Sequence, residues 1–169
     1  MGKWQDIKSS VVADTVYSDN VLVAKDVAFT LPGIEFIKAT VQAMGNMDVP
    51  IVGLLEHMEL AITKIGLDKG LSRLNRLEKQ NLEFRWVQDV VKADGSVGVE
   101  GCKAFVRVLP GALPELGVEV GSSIEAEGTY GVTRMQIYMN GEEVLCVDRL
   151  AGVLRVDGKD YMSKINTLL

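Results

Sequence analysis

Residues 124–149 read IEAEGTYGVTRMQIYM, then NG, then EEVLCVDR. The first stretch is long enough for an extended strand, with a bend expected at Gly128 or Gly131, where the alternation of side chains slips by one residue. Asn140-Gly141 is the strongest turn in the chain, because both residues accept the positive φ that a two-residue hairpin needs. Val144–Arg149 is then the return strand. A strand of this length followed by so definite a hairpin marks the chain as mainly β.

The same grammar extends in both directions. Downstream, Val153–Val156 reads as a short strand closed by Asp157-Gly158, and Tyr161, Ile165 and Leu168 suggest a brief terminal helix. Upstream, Leu82, Phe84, Trp86 and Val90 share one face against Glu83, Arg85 and Asp89 on the other. Asp94-Gly95 turns that strand into a partner at Val99–Leu109. Pro110-Gly111 and Pro114 mark a surface loop. Between 67 and 77 the period changes: Leu67, Leu71, Leu74 and Leu77 fit one face of a helix at about 68–78, with Asp68 as its N-cap. Earlier still, Val27, Phe29 and Leu31 alternate with polar neighbours up to Pro32-Gly33, and Val11–Tyr17 reads as a possible short strand. Strands are also expected at 34–44 and 55–65. The second of these turns Met58, Leu60 and Ile62 inward, and a loop at 45–54 separates the two.

The expectation is one β domain spanning 1–169, a sandwich or partly closed barrel with one internal helix and a polar arm at 1–20. Its 169 residues are enough to bury a core without cross-links. Seventeen glycines favour a turn-rich β protein over a bundle. Eighteen Lys and Arg against 23 Asp and Glu leave a net charge of −5, a poor balance for wrapping nucleic acid. Cys102 and Cys146 stand too far apart in sequence for a metal pair and read as small core residues. No apolar run approaches the roughly 18 residues of a membrane span, and the first residues lack a signal-peptide pattern. A soluble chain made in the cytoplasm is expected.

Chemistry-bearing constellations are missing from the pattern. The single histidine, His57, has no local partner of the kind a general base uses and reads as a solvated strand residue. Glu125 and Glu127 share a strand face that could take a cation, but a solvated face accounts for them. There is no phosphate-cradling glycine loop and no nucleophile elbow. Trp86 aligns with apolar strand neighbours, whereas Trp4 sits in a polar stretch and could be a contact residue. The reading is of a non-enzyme with no cofactor and no metal.

Several short segments carry a resemblance. Val21–Pro32, ending in Phe29-Thr30-Leu31-Pro32, resembles the early strand and Thr-Leu-Pro turn of major tail tube proteins of contractile-tailed phages, and Ile34-Glu35-Phe36 follows as in that family. Gly53–Ile62, with its Met58-Glu59 pair, is similar to the family's next strand. Ile137–Asp148 resembles the closing hairpin, and Val156–Tyr161 the penultimate turn. The match runs from about residue 10 to 169, and the loop at 109–122 departs from it.

The resemblance implies a structural subunit that forms hexameric rings, whose sheets join into one continuous β-barrel around a lumen. The rings stack into the inner tube of a contractile tail and conduct DNA into the host. The implied partners are other copies of the chain, the sheath protein, the baseplate hub, the tail terminator, and the tape measure protein and DNA in transit, with no membrane. The implied location is the virion tail, assembled in the host cytoplasm. On this basis, alternation assigns Lys38, Thr40, Gln42, His57, Glu59 and Thr63 to the lumen. Met47, Val49 and Ile51, in the 45–54 loop, are assigned to contacts between rings. Lys69, Arg73, Arg76 and Lys79 are the candidate sheath contact. A contractile bacteriocin or type VI-like tube shares all of these features, and a small-ligand-binding β-barrel is the alternative from another class.

Overall fold

The computed structural model describes residues 6–169; Trp4 lies outside them. The order of elements is β1 (Ile7–Ser18), β2 (Val21–Lys25), β3 (Ala28–Thr30), β4 (Phe36–Gln42), β5 (Asn46–Leu55), β6 (Glu59–Ile65), α1 (Lys69–Leu74), β7 (Gln80–Val91), β8 (Val97–Ala112), β9 (Glu125–Met139), β10 (Glu142–Asp148), β11 (Val153–Val156), β12 (Lys159–Asp160) and α2 (Ser163–Thr167). The expected mainly-β domain is what forms. A second short helix, α2, joins the internal one, and the monomer contains no closed barrel.

β9 is the spine. One edge pairs with β8, and the other is shared end to end by two strands. Glu125–Gly131 pair with β6, and Arg134–Met139 with β10. The exchange happens at a bulge. Arg107 faces Arg134 while Val108 faces Val132, so Thr133 is the extra residue. The bend therefore sits just beyond the glycines at which it was expected. Asn140 and Gly141 take φ of 49° and 83°, as the hairpin turn required.

From β9 the sheet runs through β8, β7, β1 and β2 on one side and β10, β11 and β12 on the other, with β3 on the outer edge of β6. Thus β1 incorporates most of the expected N-terminal arm, pairing with β7 from Ile7↔Val91 to Ser18↔Leu82. The sheet folds over so that Leu60 and Ile62 of β6 share one core with Phe84 of β7, Ala104, Val106 and Val108 of β8, and Met135 of β9. Met58, Leu60 and Ile62 are buried as expected, as are both cysteines.

Helix α1 is shorter than its leucine spacing suggested. Asp68 caps it, its carboxylate accepting from Leu71 N at 3.0 Å. Asn75 ends the helix, so Leu71 and Leu74 are buried while Leu67 and Leu77 are 66% and 78% exposed. Gly70 is required here, because a Cβ would run into the Val23 carbonyl of β2.

Two strand assignments need correction. Residues 45–54 are not an irregular loop. Met44 (φ 53°) and Gly45 (φ 116°) make the turn, and Asn46–Leu55 return as β5. Asn46, Asp48 and Pro50 read as turn formers, yet they lie on one face of a strand that has only one paired edge, where proline is tolerated. In consequence 34–44 meets 55–65 only at its root, where Phe36 faces Leu55. β4 pairs with β5, and β6 pairs with β3 and β9.

Candidate assembly surfaces

The β4–β5 hairpin stands apart as its own two-stranded sheet. Its register places Lys38, Thr40 and Gln42 opposite Pro50, Asp48 and Asn46, forming a polar face on which Thr40 Oγ1 donates to Asp48 at 3.0 Å. The opposite face carries Ala39 against Val49 and Val41 against Met47. Val41, Met47 and Val49 are all exposed, as is Ile37, an apolar stripe that the described residues leave uncovered.

The root of the hairpin is pinned. Between Phe36↔Leu55 and Lys38↔Pro50, β5 carries extra residues that bulge toward the C-terminus. Gly53 (φ 108°) sits there, and a Cβ on it would lie 2.9 Å from Met162 Sδ. Arg149 donates from Nη1 to the Glu56 carbonyl at 3.0 Å and from Nη2 to Leu55 at 3.1 Å. A guanidinium fork across two successive carbonyls fixes direction as well as position.

A second surface is the outward face of β3, β6, β9 and the end of β8. Register aligns Ala28, Thr63 and Glu127 in one row and Thr30, Ala61, Thr129 and Ala112 in the next. Glu59 lies opposite Gly131, and the His57 ring packs near Gly131 with Nε2 3.6 Å from Glu59 Oε2. Between Glu59 and Thr63 the face is built from small and polar side chains with carboxylates and no Lys or Arg, and exposed Ile65 and Leu109 border it. Alternation found His57, Glu59 and Thr63 on it. Ala28, Thr30, Glu127 and Thr129 were missed, since strand pairing rather than any local pattern brings them there. Lys38, Thr40 and Gln42 sit on the separate hairpin.

The basic stretch around α1 is partly engaged within the chain. Arg73 Nε donates to the Ser18 carbonyl at 3.3 Å, and Arg76 pairs with Asp19 and Glu78 at 3.4 and 3.3 Å. The bonds to Ser18 and Asp19 tie α1 and the residues after it to the β1–β2 turn. Lys69 is exposed on the helix, and Lys79 lies beyond it. Among the described residues no group of His, Cys, Asp and Glu is arranged to hold a metal, and no helix is long and apolar enough to cross a membrane.

A model of the phage tail tube protein FII family matches residues 9–169. The chain belongs to this family. No curated protein matches the sequence. Among solved structures, it is similar to a chain of an extracellular contractile injection system, the PVC sheath–tube complex in its extended state, with 13% identity, TM-score 0.50, and coverage of 75% of this chain and 88% of that one. It is also similar to a chain of the PVC sheath/tube terminator in the extended state, with 12% identity, TM-score 0.54, and coverage of 77% and 96%. At these identities the likeness is one of fold. A tail tube protein is a structural subunit, and an uncovered hairpin and a smooth polar face are features that such a subunit can use in assembly.

Proposed function

We propose that this tail tube protein closes into hexameric rings that stack to form the inner tube of a contractile tail, with DNA passing through the lumen. The observation that carries the reading is the β4–β5 hairpin, pinned at its root by Arg149 and apolar along a face that the described residues leave bare. Exposed strand edges and apolar stripes are liabilities in a monomer, and neighbouring subunits remove both. The hairpin reaches the neighbouring ring with Met47, Val49 and Ile51 as its apolar contacts. The face bearing His57, Glu59 and Thr63 lines the lumen, with the hairpin's Lys38, Thr40 and Gln42 continuing it. A lumen without excess cations releases few counterions from DNA and so does not retain it.

The outer surface meets the sheath, with Lys69, Arg73, Arg76 and Lys79 as the contact. The tube terminator, baseplate hub and tape measure protein are the further partners, and the virion tail assembled in the bacterial cytoplasm is the location. The same subunit geometry serves a contractile bacteriocin or a secretion tube equally, the two matched structures being from an injection system. Negative-stain electron microscopy of the purified chain across rising concentration tests the reading. Hollow rings or tubes are expected, and protein that stays monomeric even with baseplate present overturns it.

A further inference from the structure

The two ends of the β8–β9 ladder have opposite chemistry. At one end, residues 113–121 run outside regular structure as Leu-Pro-Glu-Leu-Gly-Val-Glu-Val-Gly, with Leu113, Leu116, Val118 and Val120 exposed, Val118 by 80%. No Lys, Arg or His occurs between Arg107 and Arg134, while Glu115, Glu119, Glu125 and Glu127 all fall in that interval. This end is an apolar, purely acidic projection.

At the other end, the outward face of β7, β8 and β9 carries a cleft of about 570 Å³ lined in part by Val87, Gly101, Lys103, Phe105 and Tyr138. Gly101 opens it, since nothing lies within 4 Å of where its Cβ would be. Phe105 and Tyr138 stand edge to face at 5.8 Å and form one wall. The cations of this face, Arg85, Lys103, Arg107, Arg134 and Arg155, outnumber its carboxylates Glu83, Asp148 and Glu143, each of which pairs with one of them, so among the described residues Lys103 and Arg107 are left over. Register places Arg85 beside Lys103 and Arg107 beside Arg134.

We propose that the 113–121 projection of one copy docks into this cleft on a second copy. Leu116 and Val118 fill the space over Gly101, and Glu115 and Glu119 meet Lys103 and Arg107. The contact cannot close within one chain. Lys103 and Ala112 are nine residues apart on one strand, about 30 Å at ~3.4 Å per residue. Val118 is six residues from Ala112 and six from Ile124, a reach of at most about 20 Å. Complementary surfaces at opposite ends of one rigid ladder make a head-to-tail contact, which generates rings or open stacks in place of closed dimers. The proposal rests on the tube reading only in taking another copy of this chain as the partner.

The test starts from the unmodified protein. Light and ¹⁵N-labelled chains are mixed, concentrated and treated with a zero-length carbodiimide. Mixed-isotope peptides joining Glu115 or Glu119 to Lys103 are expected, whether or not rings are visible, so the contact is read separately from tube formation. Cross-links that run only to Lys69 or Lys79 overturn the cleft as the acceptor. A charge-reversal pair follows. Glu115→Lys with Glu119→Lys, and Lys103→Glu with Arg107→Glu in a second chain, should each raise the concentration needed for assembly about tenfold, a loss typical of removing charge pairs from an interface. Mixing the two should restore assembly, since each then offers the other a matched surface. Wild-type assembly by either variant alone, or no recovery on mixing, overturns the proposal.

Discussion

Lys64 and Asp68 illustrate how single residues hold this fold. Lys64 projects from the buried face of β6, only 7% exposed, and its Nζ lies 2.9 Å from Asp68 Oδ2. Asp68 also accepts from Leu71 N, and that bond, followed by the lysine, holds its carboxyl below the usual carboxylate range. A depressed carboxyl stabilises the fold above its unfolded value and loses that contribution as pH falls through the folded one. Asp68→Ala removes the cap and strands a buried ammonium, so chemical denaturation should show a loss of roughly 2 kcal/mol. Lys64→Met keeps the volume and the cap and should cost less than about 1 kcal/mol. Equal losses from the two would mean that the cap contributes little. Tyr130 acts at the opposite end of the pH scale. Its hydroxyl donates to the Leu74 carbonyl at 3.3 Å, and burial pushes it up to about 12 from 10.0. Between those values the unfolded chain has lost the proton and the folded chain keeps it, so stability falls as pH rises from 10 to 12. The fall can reach about 2–3 kcal/mol, the worth of a shift of that size. Urea titrations at several alkaline pH values should show this component missing in Tyr130→Phe.

At the scale of elements, the hairpin root and the hairpin stripe separate stability from assembly. Arg149→Ala removes two donors from the Leu55 and Glu56 carbonyls at the point where the hairpin leaves the body. Amide exchange across 36–55 is expected to accelerate at least about tenfold, with little change over β7 and β8, because local opening need not involve the main sheet. Uniform acceleration through the whole chain would mean that the root is not an independent hinge. Val41→Glu with Val49→Glu addresses the stripe instead. Both positions are exposed in the single chain, so the denaturation midpoint should barely move while rings and tubes disappear from micrographs. Unchanged tubes would remove the stripe from the assembly model. The strand at 46–55 escaped sequence reading because its turn-forming residues hide a period-two pattern. Met47, Val49 and Ile51 alternate there as clearly as Leu60 and Ile62 do in β6, but Asn46, Asp48 and Pro50 outweighed them. In the hairpin 140–141 the same residue types do what they are read to do, since strands are complete on both sides.

For the whole molecule, the smooth face of β3, β6 and β9 yields a prediction about transport. Glu59 is exposed there, opposite Gly131 and near the His57 ring. Glu59→Arg reverses charge where few contacts would be disturbed, so tubes should still form. Each lumen cation gives phosphate a place to release counterions, and DNA passage should slow. Potassium efflux or DNA-entry kinetics on infection measure this, and a normal rate from intact mutant tubes would exclude that face from the lumen. Two of the four basic residues proposed for the sheath, Arg73 and Arg76, also brace α1 against β1. Their alanine variants must therefore be compared with Lys69→Ala and Lys79→Ala, which leave those bonds intact, before a loss of sheath binding is assigned to charge.

Sequence alone determined what depends on neighbours along the chain. Alternation placed Met58, Leu60 and Ile62 in the core, Asp68 at a helix start and Asn140-Gly141 in a hairpin, because two- and four-residue rules are local. Short motifs spread over the chain pointed to the tail tube family, which the match over residues 9–169 establishes. Only the tertiary structure decided which strands meet. Nothing near Thr133 in sequence says that β9 exchanges β6 for β10 there, or that Ala28 and Glu127 share a row with Thr63. Nor does local pattern reveal that Leu77 is bare while Leu74 is buried. Those outcomes belong to long-range pairing and to the close seat of α1 on β2 at Gly70, and both are settled by the packing of the whole sheet.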